Sequence, residues 1–328
     1  MKTIFFAGKI KTVSPVAVTV PDTVGMPKDS AGNAYLPANS IRGKLRHSLH
    51  EAIARHYADQ GKPLTVDQHY MLGSGVDTAR ALKDTSSNIG ANTARRAANP
   101  VLSVFGNWGL AGKLGVGSGY TGTKAVIHGA GVRKHVGKEW LDQIIDLSEI
   151  DYLTEILSQD GQTSQDSQPI KDRQKLLKRE LKGADATRKT EINTELADLD
   201  QQLRELKDLR TGASESIQRP LEGFEVIDHG TTMPHRMILK NPTDTELHTV
   251  LLSIAAWAYE PMIGGHHNLG CGNIDAEWEI YEQAFLSNAR TKIGTVGFNE
   301  TGFFVEGIVF DAAATLQHIT TDFDLAQV

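Results

Sequence analysis

The chain has 328 residues, 40% of them hydrophobic and 23% charged, with a net charge of −6 when its histidines are neutral. These are ordinary values for a folded globular protein, with room for one large domain or two modest ones. No apolar run of about eighteen residues is present to cross a membrane, and the single cysteine, Cys271, excludes an internal disulfide framework and fits a reducing, cytoplasmic compartment.

Residues 2–13, KTIFFAGKIKTV, alternate as a first β-strand does and lack the apolar core and small-residue cleavage site of a signal peptide. A turn-rich stretch, Ser14 to Pro37, leads to Asn39–Ser40, either of which can cap a helix running to about His56. Ile41, Leu45, Leu49, Ala52 and Ile53 form the apolar stripe of that helix, while Arg42, Lys44, Arg46, His47 and His50 are expected on its exposed positions. From Gly73 to Gly131 the sequence is rich in Gly, Ala, Ser, Thr and Asn, with one short buried segment expected at Val101–Gly106. A helix is predicted over Trp140–Leu157 and a polar linker over 159–168. Within Lys171–Leu209, the spacing of Ile192, Leu196, Leu199, Leu203 and Leu206 makes a seam, read as the self-packing face of an inserted helical hairpin. Phe224–Leu239 reads as a strand pair or one interrupted strand, and Glu246–Tyr259 as a strongly apolar helix. A glycine-rich loop, Gly264–Gly272, then precedes a strand at Ile274–Tyr281, and Gly302–Phe310 is the last expected strand before a fraying end. This order predicts an α+β protein with a ferredoxin-like sheet, helices on one face and large insertions.

Charge is unevenly spread. Between Ala79 and Lys138 nine basic residues face one acid, Asp84, whereas from Gly272 to Val328 nine acids face Arg290 and Lys292. Such asymmetry points to one face for a polyanion. Two segments suit that partner. Leu36-Pro-Ala-Asn-Ser-Ile-Arg-Gly-Lys-Leu-Arg46 feeds a helix start, with its free amides and positive dipole end, beside Arg42 and Lys44. Ile263-Gly-Gly-His-His-Asn-Leu-Gly-Cys-Gly-Asn273 lets backbone amides approach a ligand closely, and His266 and His267 can stack on a base or bond a phosphate. Adjacent histidines point apart, so His266, His267 and Cys271 are not expected to hold a metal, and no cofactor is expected. Dinucleotide, phosphate-loop, HExxH and GxSxG signatures all fail.

Four stretches together resemble the RAMP superfamily, the guide-RNA-binding backbone subunits of CRISPR effector complexes: the segment 36–46, Val104-Phe105-Gly106, Phe224-Glu-Val-Ile-Asp-His-Gly-Thr-Thr-Met233, and Ile263–Gly272. The order of elements and the large central insertion are most similar to the type IV backbone subunit. The resemblance implies an RRM-like palm with inserted fingers and a thumb. Residues 1–60 would be the first part of the palm, 61–140 a basic finger-like insertion, and 141–222 a helical insertion with the hairpin 171–209 and a thumb near Arg210–Pro220. Residues 223–320 would complete the palm, and 321–328 would form a flexible tail. Carried over by position, Asn39, Ser40, Arg42, Lys44 and Arg46 at the helix start, Arg95, Arg96, Arg133 and Lys134 in the basic block, Arg219, and Gly264, Gly265, His266, His267 and Asn268 in the loop would touch RNA. Stacking platforms and basic grooves are what a single strand requires.

The resemblance thus implies a non-catalytic scaffold that oligomerises along guide RNA with other effector subunits and presents it for pairing with target DNA or RNA. Two other readings compete. One is an endoribonuclease of the same superfamily, cutting target RNA through Asp22 or processing guides through a histidine. The other is a protein-interaction scaffold built on the hairpin.

Overall fold

Alternation along the first strand decides the architecture. In β1 (Lys2–Thr12) the side chains of Ile4, Phe6 and Ile10 are buried, while Ala7 and Lys9 are exposed. One face of the strand therefore belongs to a core and the other to solvent. The computed structural model describes residues 1–20, 25–76, 89–107, 109–129, 131–134, 166–181, 186–208, 218–221 and 223–325. They divide into a body, Met1–His128 with Phe224–Val328, and an inserted unit, Gly129–Gly223.

In the body, β1 is followed by β2 (Tyr35–Leu36) and α1 (Ala38–Asp59), then α2 (Val66–Ser74), α3 (Ile89–Ala98) and α4 (Pro100–Phe105). Short strands follow: β3 (Gly106–Asn107), β4 (Leu110–Ala111), β5 (Leu114–Val116), β6 (Gly119–Tyr120) and β7 (Val126–His128). The inserted unit contributes β8 (Gly131–Lys134), α5 (166–180), α6 (Ala186–Asp208) and β9 (Gln218–Leu221). The body resumes with β10 (Phe224–Val226), β11 (Thr232–Lys240), α7 (Asp244–Tyr259), β12 (Ile274–Ala284), β13 (Thr291–Asn299), β14 (Gly302–Glu306) and α8 (Ala312–Thr321).

Six strands form one antiparallel sheet in the order β14-β13-β12-β1-β11-β5. Its central connectivity runs β1–α1–β5–β11–α7–β12. One face of the sheet packs on α1 and α7 in a single core that includes Phe6, Leu45, Leu49, Leu251, Trp257 and Trp278. The other face is polar and solvated, with Lys9 paired to Glu277 at 3.6 Å and Lys292 to Glu279 at 2.6 Å. The protein is thus α+β with a large antiparallel sheet. No helix among the described residues is long and apolar enough to cross a membrane.

Gly8 occupies the middle of β1, opposite His235 on one side and Trp278 on the other. A Cβ at Gly8 would lie 1.9 Å from the carbonyl oxygen of Glu277, which explains the glycine inside a strand. His235 Nδ1 accepts a hydrogen bond from Trp278 Nε1 at 2.9 Å, and His235 Nε2 donates to the carbonyl of Gly117 at 2.9 Å.

Three expectations need correction. Helix α1 is capped by neither Asn39 nor Ser40: Pro37, with φ −64°, is the N-cap and makes no side-chain cap bond. The hydroxyl of Ser118 instead takes the Ala38 amide at 3.1 Å, a tertiary contact that no local pattern could reveal. The finger-like insertion expected over 61–140 divides at His128: up to there it groups with the body, where α4 and β5 place Val101, Val104, Phe105 and Leu114 in the core. The C-terminal segment does not fray through 321–325 either. Asp311 caps α8 by accepting from Ala314 N at 2.9 Å, Leu325 is buried, and the Leu325 carbonyl accepts from Asn99 Nδ2 at 3.3 Å.

In the inserted unit, α5 and α6 lie antiparallel. Arg173 pairs with Glu195 at 2.7 Å, Arg188 with Glu180 at 2.9 Å, and Gln174 Nε2 donates to Asp200 at 2.7 Å. Leu177 and Ile192 are buried between them, so this part of the seam packs on the hairpin itself. The helix expected at Trp140–Leu157 lies outside the described residues, as does the thumb segment at Arg210–Pro220 except for its last three residues, which open β9.

Candidate nucleic-acid interface

The glycine-rich loop is anchored at its base and exposed along its length. Gly265 N donates to Ala17 O at 2.9 Å and Gly272 N to Pro15 O at 2.8 Å, which fastens both ends to the segment after β1. Gly264 has φ +91°, and a Cβ there would lie 2.1 Å from Ala17 O, so glycine is required for this approach. Between the anchors, one turn of 3-10 helix (His267–Leu269) is bracketed by His266 and Gly270, both in the left-handed region. Residues 264–270 are all exposed.

That backbone sets His266 against an aromatic partner. Its ring stacks on Phe224 with centroids 3.9 Å apart and planes 17° from parallel. Phe224 opens β10, whose register with β7 puts His128 opposite, and the His128 ring tilts against Phe224 at 5.2 Å. Three aromatic rings from distant parts of the chain thus meet beside the exposed loop. Flat π surfaces of this kind accept a nucleobase whatever its sequence. Next to them Glu225 accepts from Lys28 at 2.7 Å and from the Met26 amide at 2.9 Å. The Lys28 hydrogen bond, first among these influences, lowers the Glu225 carboxyl below the usual range.

The α1 residues divide into two groups. Asn39 is exposed and Ser40 half-buried at the helix start, and Lys44 forms an ion pair with Glu260 at 3.7 Å, just before the loop. Arg46 behaves differently. It is buried and donates to three carbonyls, Leu72 at 2.5 Å, Met71 at 2.6 Å and Gly106 at 2.8 Å. Burial lowers its guanidinium to about 10. Arg42 donates to the carbonyl of Phe105, and Arg96 to those of Ser103 at 3.3 Å and Ala111 at 2.6 Å. Three arginines expected to touch RNA therefore clamp the turn around Phe105-Gly106, and Arg46, 8% exposed, has little surface to offer a ligand. The glycine at 106, φ +74°, turns its carbonyl towards them, and a Cβ there would strike Leu110 O at 2.4 Å. The same turn is anchored on α7 by Glu246, which accepts from Ser103 Oγ at 2.5 Å and from Lys113 Nζ at 2.7 Å.

Arg95 lies on α3, half-buried. In the inserted unit, the β8–β9 ladder sets Arg133 opposite Arg219 and Lys134 opposite Gln218. Asp22 lies outside the described residues. Among the described residues no group of three or more His, Cys, Asp or Glu is placed to hold a metal ion. Sequence reasoning missed Phe224 and His128 as site residues. Phe224 stands at the start of a recognised motif, but only the fold brings it to His266. No protein-family model matches the chain, and no curated protein does either.

Proposed function

We propose that this protein binds single-stranded RNA as a non-catalytic backbone subunit of a CRISPR effector complex, similar to the RAMP superfamily, lining up copies of itself along a guide RNA. Guide pairing with target DNA or RNA, and contacts to other effector subunits, belong to this reading. The observation that carries it is the exposed glycine loop whose His266 stacks on Phe224. A loop that admits a backbone closely, next to π surfaces, suits an unpaired strand better than a duplex.

Two further features support it. The central strands, in the order β12-β1-β11-β5 with helices after the first and third in chain order, support reading the sheet as ferredoxin-like and RRM-like. In the inserted unit the β8–β9 register sets Arg133 opposite Arg219 with Lys134 on the same short ribbon, residue types that a polyanion calls for. In the body the interface is then the loop residues Gly264, Gly265, His266, His267 and Asn268 and the helix start at Asn39, Ser40 and Lys44; Arg133, Lys134 and Arg219 of the inserted unit are assigned to RNA separately.

The test is to purify the protein, extract any nucleic acid and titrate a labelled single-stranded RNA over a range of salt. Co-purifying RNA of regular length is expected. Log affinity should fall linearly with log salt as counterions are released. Phe224→Ala and His266→Ala should each weaken binding about tenfold, the scale of one lost stacking partner. A nucleic-acid-free protein that ignores RNA at low salt would overturn the reading.

A further inference from the structure

The two edges of the six-stranded sheet are built differently. At one, β5 is three residues long and leads to Gly117, whose amide donates to Arg236 O at 2.9 Å. A strand that short offers a partner little to pair with. At the other, β14 pairs with β13 along one side only. None of its backbone groups bonds to a further element among the described residues, and the helix that follows, α8, packs on α1 and α7. Folded proteins guard a free edge with proline, lysine, a bulge or an inward-facing charge. The segment Gly302-Phe-Phe-Val-Glu306 has no proline and no lysine, and its register runs without a shift from Thr295–Glu306 to Asn299–Gly302. An unguarded edge is a template for one more strand.

The side chains specify what that strand must carry. Alternation along β14 sets Phe303 and Val305 against the core, where the Phe303 ring meets that of Phe310 with centroids 5.8 Å apart. Phe304 lies on the opposite, solvated face, over Gly297, where a Cβ would come within 2.7 Å of its Cζ. All three remain only half-buried, because no neighbouring strand covers their outer side. Glu306 shares the solvated face with Phe304 and is exposed. On that face Glu277 and Glu279 pair with Lys9 and Lys292, but Glu306 and Glu300, the latter in the turn between β13 and β14, form no ion pair among the described residues. From residue 293 to 328 the chain has five acids and neither lysine nor arginine.

We propose that an extended, basic segment of a partner protein adds to β14 as the seventh strand of the sheet. Its backbone takes the free amides and carbonyls of the edge. Apolar side chains at every second position cover Phe303 and Val305, and lysines or arginines at the alternate positions reach Glu306 and Glu300. The inference stands on the sheet edge alone and does not depend on the RNA reading.

The probe is a fluorescent heptapeptide, Lys-Val-Lys-Val-Lys-Val-Lys, titrated at low salt into the full chain freed of nucleic acid. Hydrogen exchange with and without saturating peptide reads where it sits. Binding is expected, with exchange slowed across residues 302–306. The same peptide N-methylated at its three central amides keeps its charge and apolar pattern but has both edges blocked, and should bind about thirtyfold more weakly. Glu306→Lys, at an exposed position, should weaken the parent peptide about fivefold and leave the melting temperature unchanged. No binding, binding without protection of β14, or an N-methylated peptide that binds as well as its parent overturns the proposal. Slow exchange at 302–306 in the free protein, together with dimers in sedimentation, would mean that a second copy occupies the edge, and overturns it equally. RNA affinity, measured separately on the same preparations, bears on none of these outcomes.

Discussion

Trp278 donates its indole N–H to Nδ1 of His235 across 2.9 Å, spanning the space that the missing side chain of Gly8 leaves on the strand between them. The imidazole is therefore fixed with its proton on Nε2, donating to Gly117 O, and neither nitrogen has room for a second proton. Burial, its largest influence, lowers His235 from 6.5 to about 4.

A pH dependence follows. The unfolded chain takes up this proton as pH falls through 6.5, and the folded chain only near 4. In that window the unfolded state binds more protons, so stability falls as pH drops, by up to about 3 kcal/mol. His50, half-exposed and bonded to the ring of His69 at 2.8 Å, is also lowered to about 4, burial first, and adds a smaller share in the same direction. Urea titrations between pH 7.5 and 4.5 check this, and His235→Gln should flatten the slope while lowering stability at neutral pH.

Arg46 is expected to act on stability. Removing a buried guanidinium that satisfies three carbonyls should cost about 3 kcal/mol or more. Arg46→Lys should rescue little, because an ammonium cannot reach carbonyls that a planar fork spans. Thermal melts of Arg46→Ala and Arg46→Lys, set beside Lys44→Ala, separate a structural clamp from a surface charge.

Glu246 is 4% exposed and relies on its partners. Burial raises its carboxyl, but the hydrogen bonds from Lys113 and Ser103 more than offset this, and the net shift is downward. Lys113→Met should destabilise by about 3 kcal/mol, since it strands a buried charge. Adding Glu246→Gln should restore a good part of the loss, and denaturant midpoints of the two single variants and the double variant measure the coupling.

Gly264→Ala tests the loop by its backbone. The added Cβ meets Ala17 O at 2.1 Å in a conformation that only glycine adopts freely, so the anchor to the body must shift. RNA affinity should drop about tenfold, comparable to one lost stacking partner. Gly122→Ala, at φ +69° with no neighbour within 4 Å, provides a control with similar strain and no anchor to break.

Strand β1 and helix α7 were legible because each has one clean period: alternation in one, an unbroken apolar stripe behind the Thr243–Glu246 capping box in the other. Strand β13 escaped notice because Gly294 and Gly297 break its alternation. The fold needs both, since a Cβ at either would lie 2.4 Å from a neighbouring carbonyl oxygen. Helix α8 was hidden by its weakly patterned Ala312-Ala-Ala start. At the site, the glycines of 264–272 marked the loop, yet nothing local joined His266 to Phe224. The fates of Arg42, Arg46 and Arg96 were equally hidden. A basic stripe on a helix reads as solvated until the fold brings it a set of carbonyls, and here these come from a turn far along the chain.

The chain leaves the body at His128 and returns at Phe224, and these two residues are partners in one ladder, about 5 Å apart. To the body, ninety-five intervening residues are a hairpin loop of unusual length. Such a junction works as a grafting site. Lineages could lengthen, trim or exchange the graft while the core underneath kept its register, because loop length is cheap once the two ends are pinned. A version with residues 129–223 replaced by a short glycine turn should fold as the body alone. Variation in this protein's relatives would then be expected to accumulate in the graft and leave the ladder at its root unchanged.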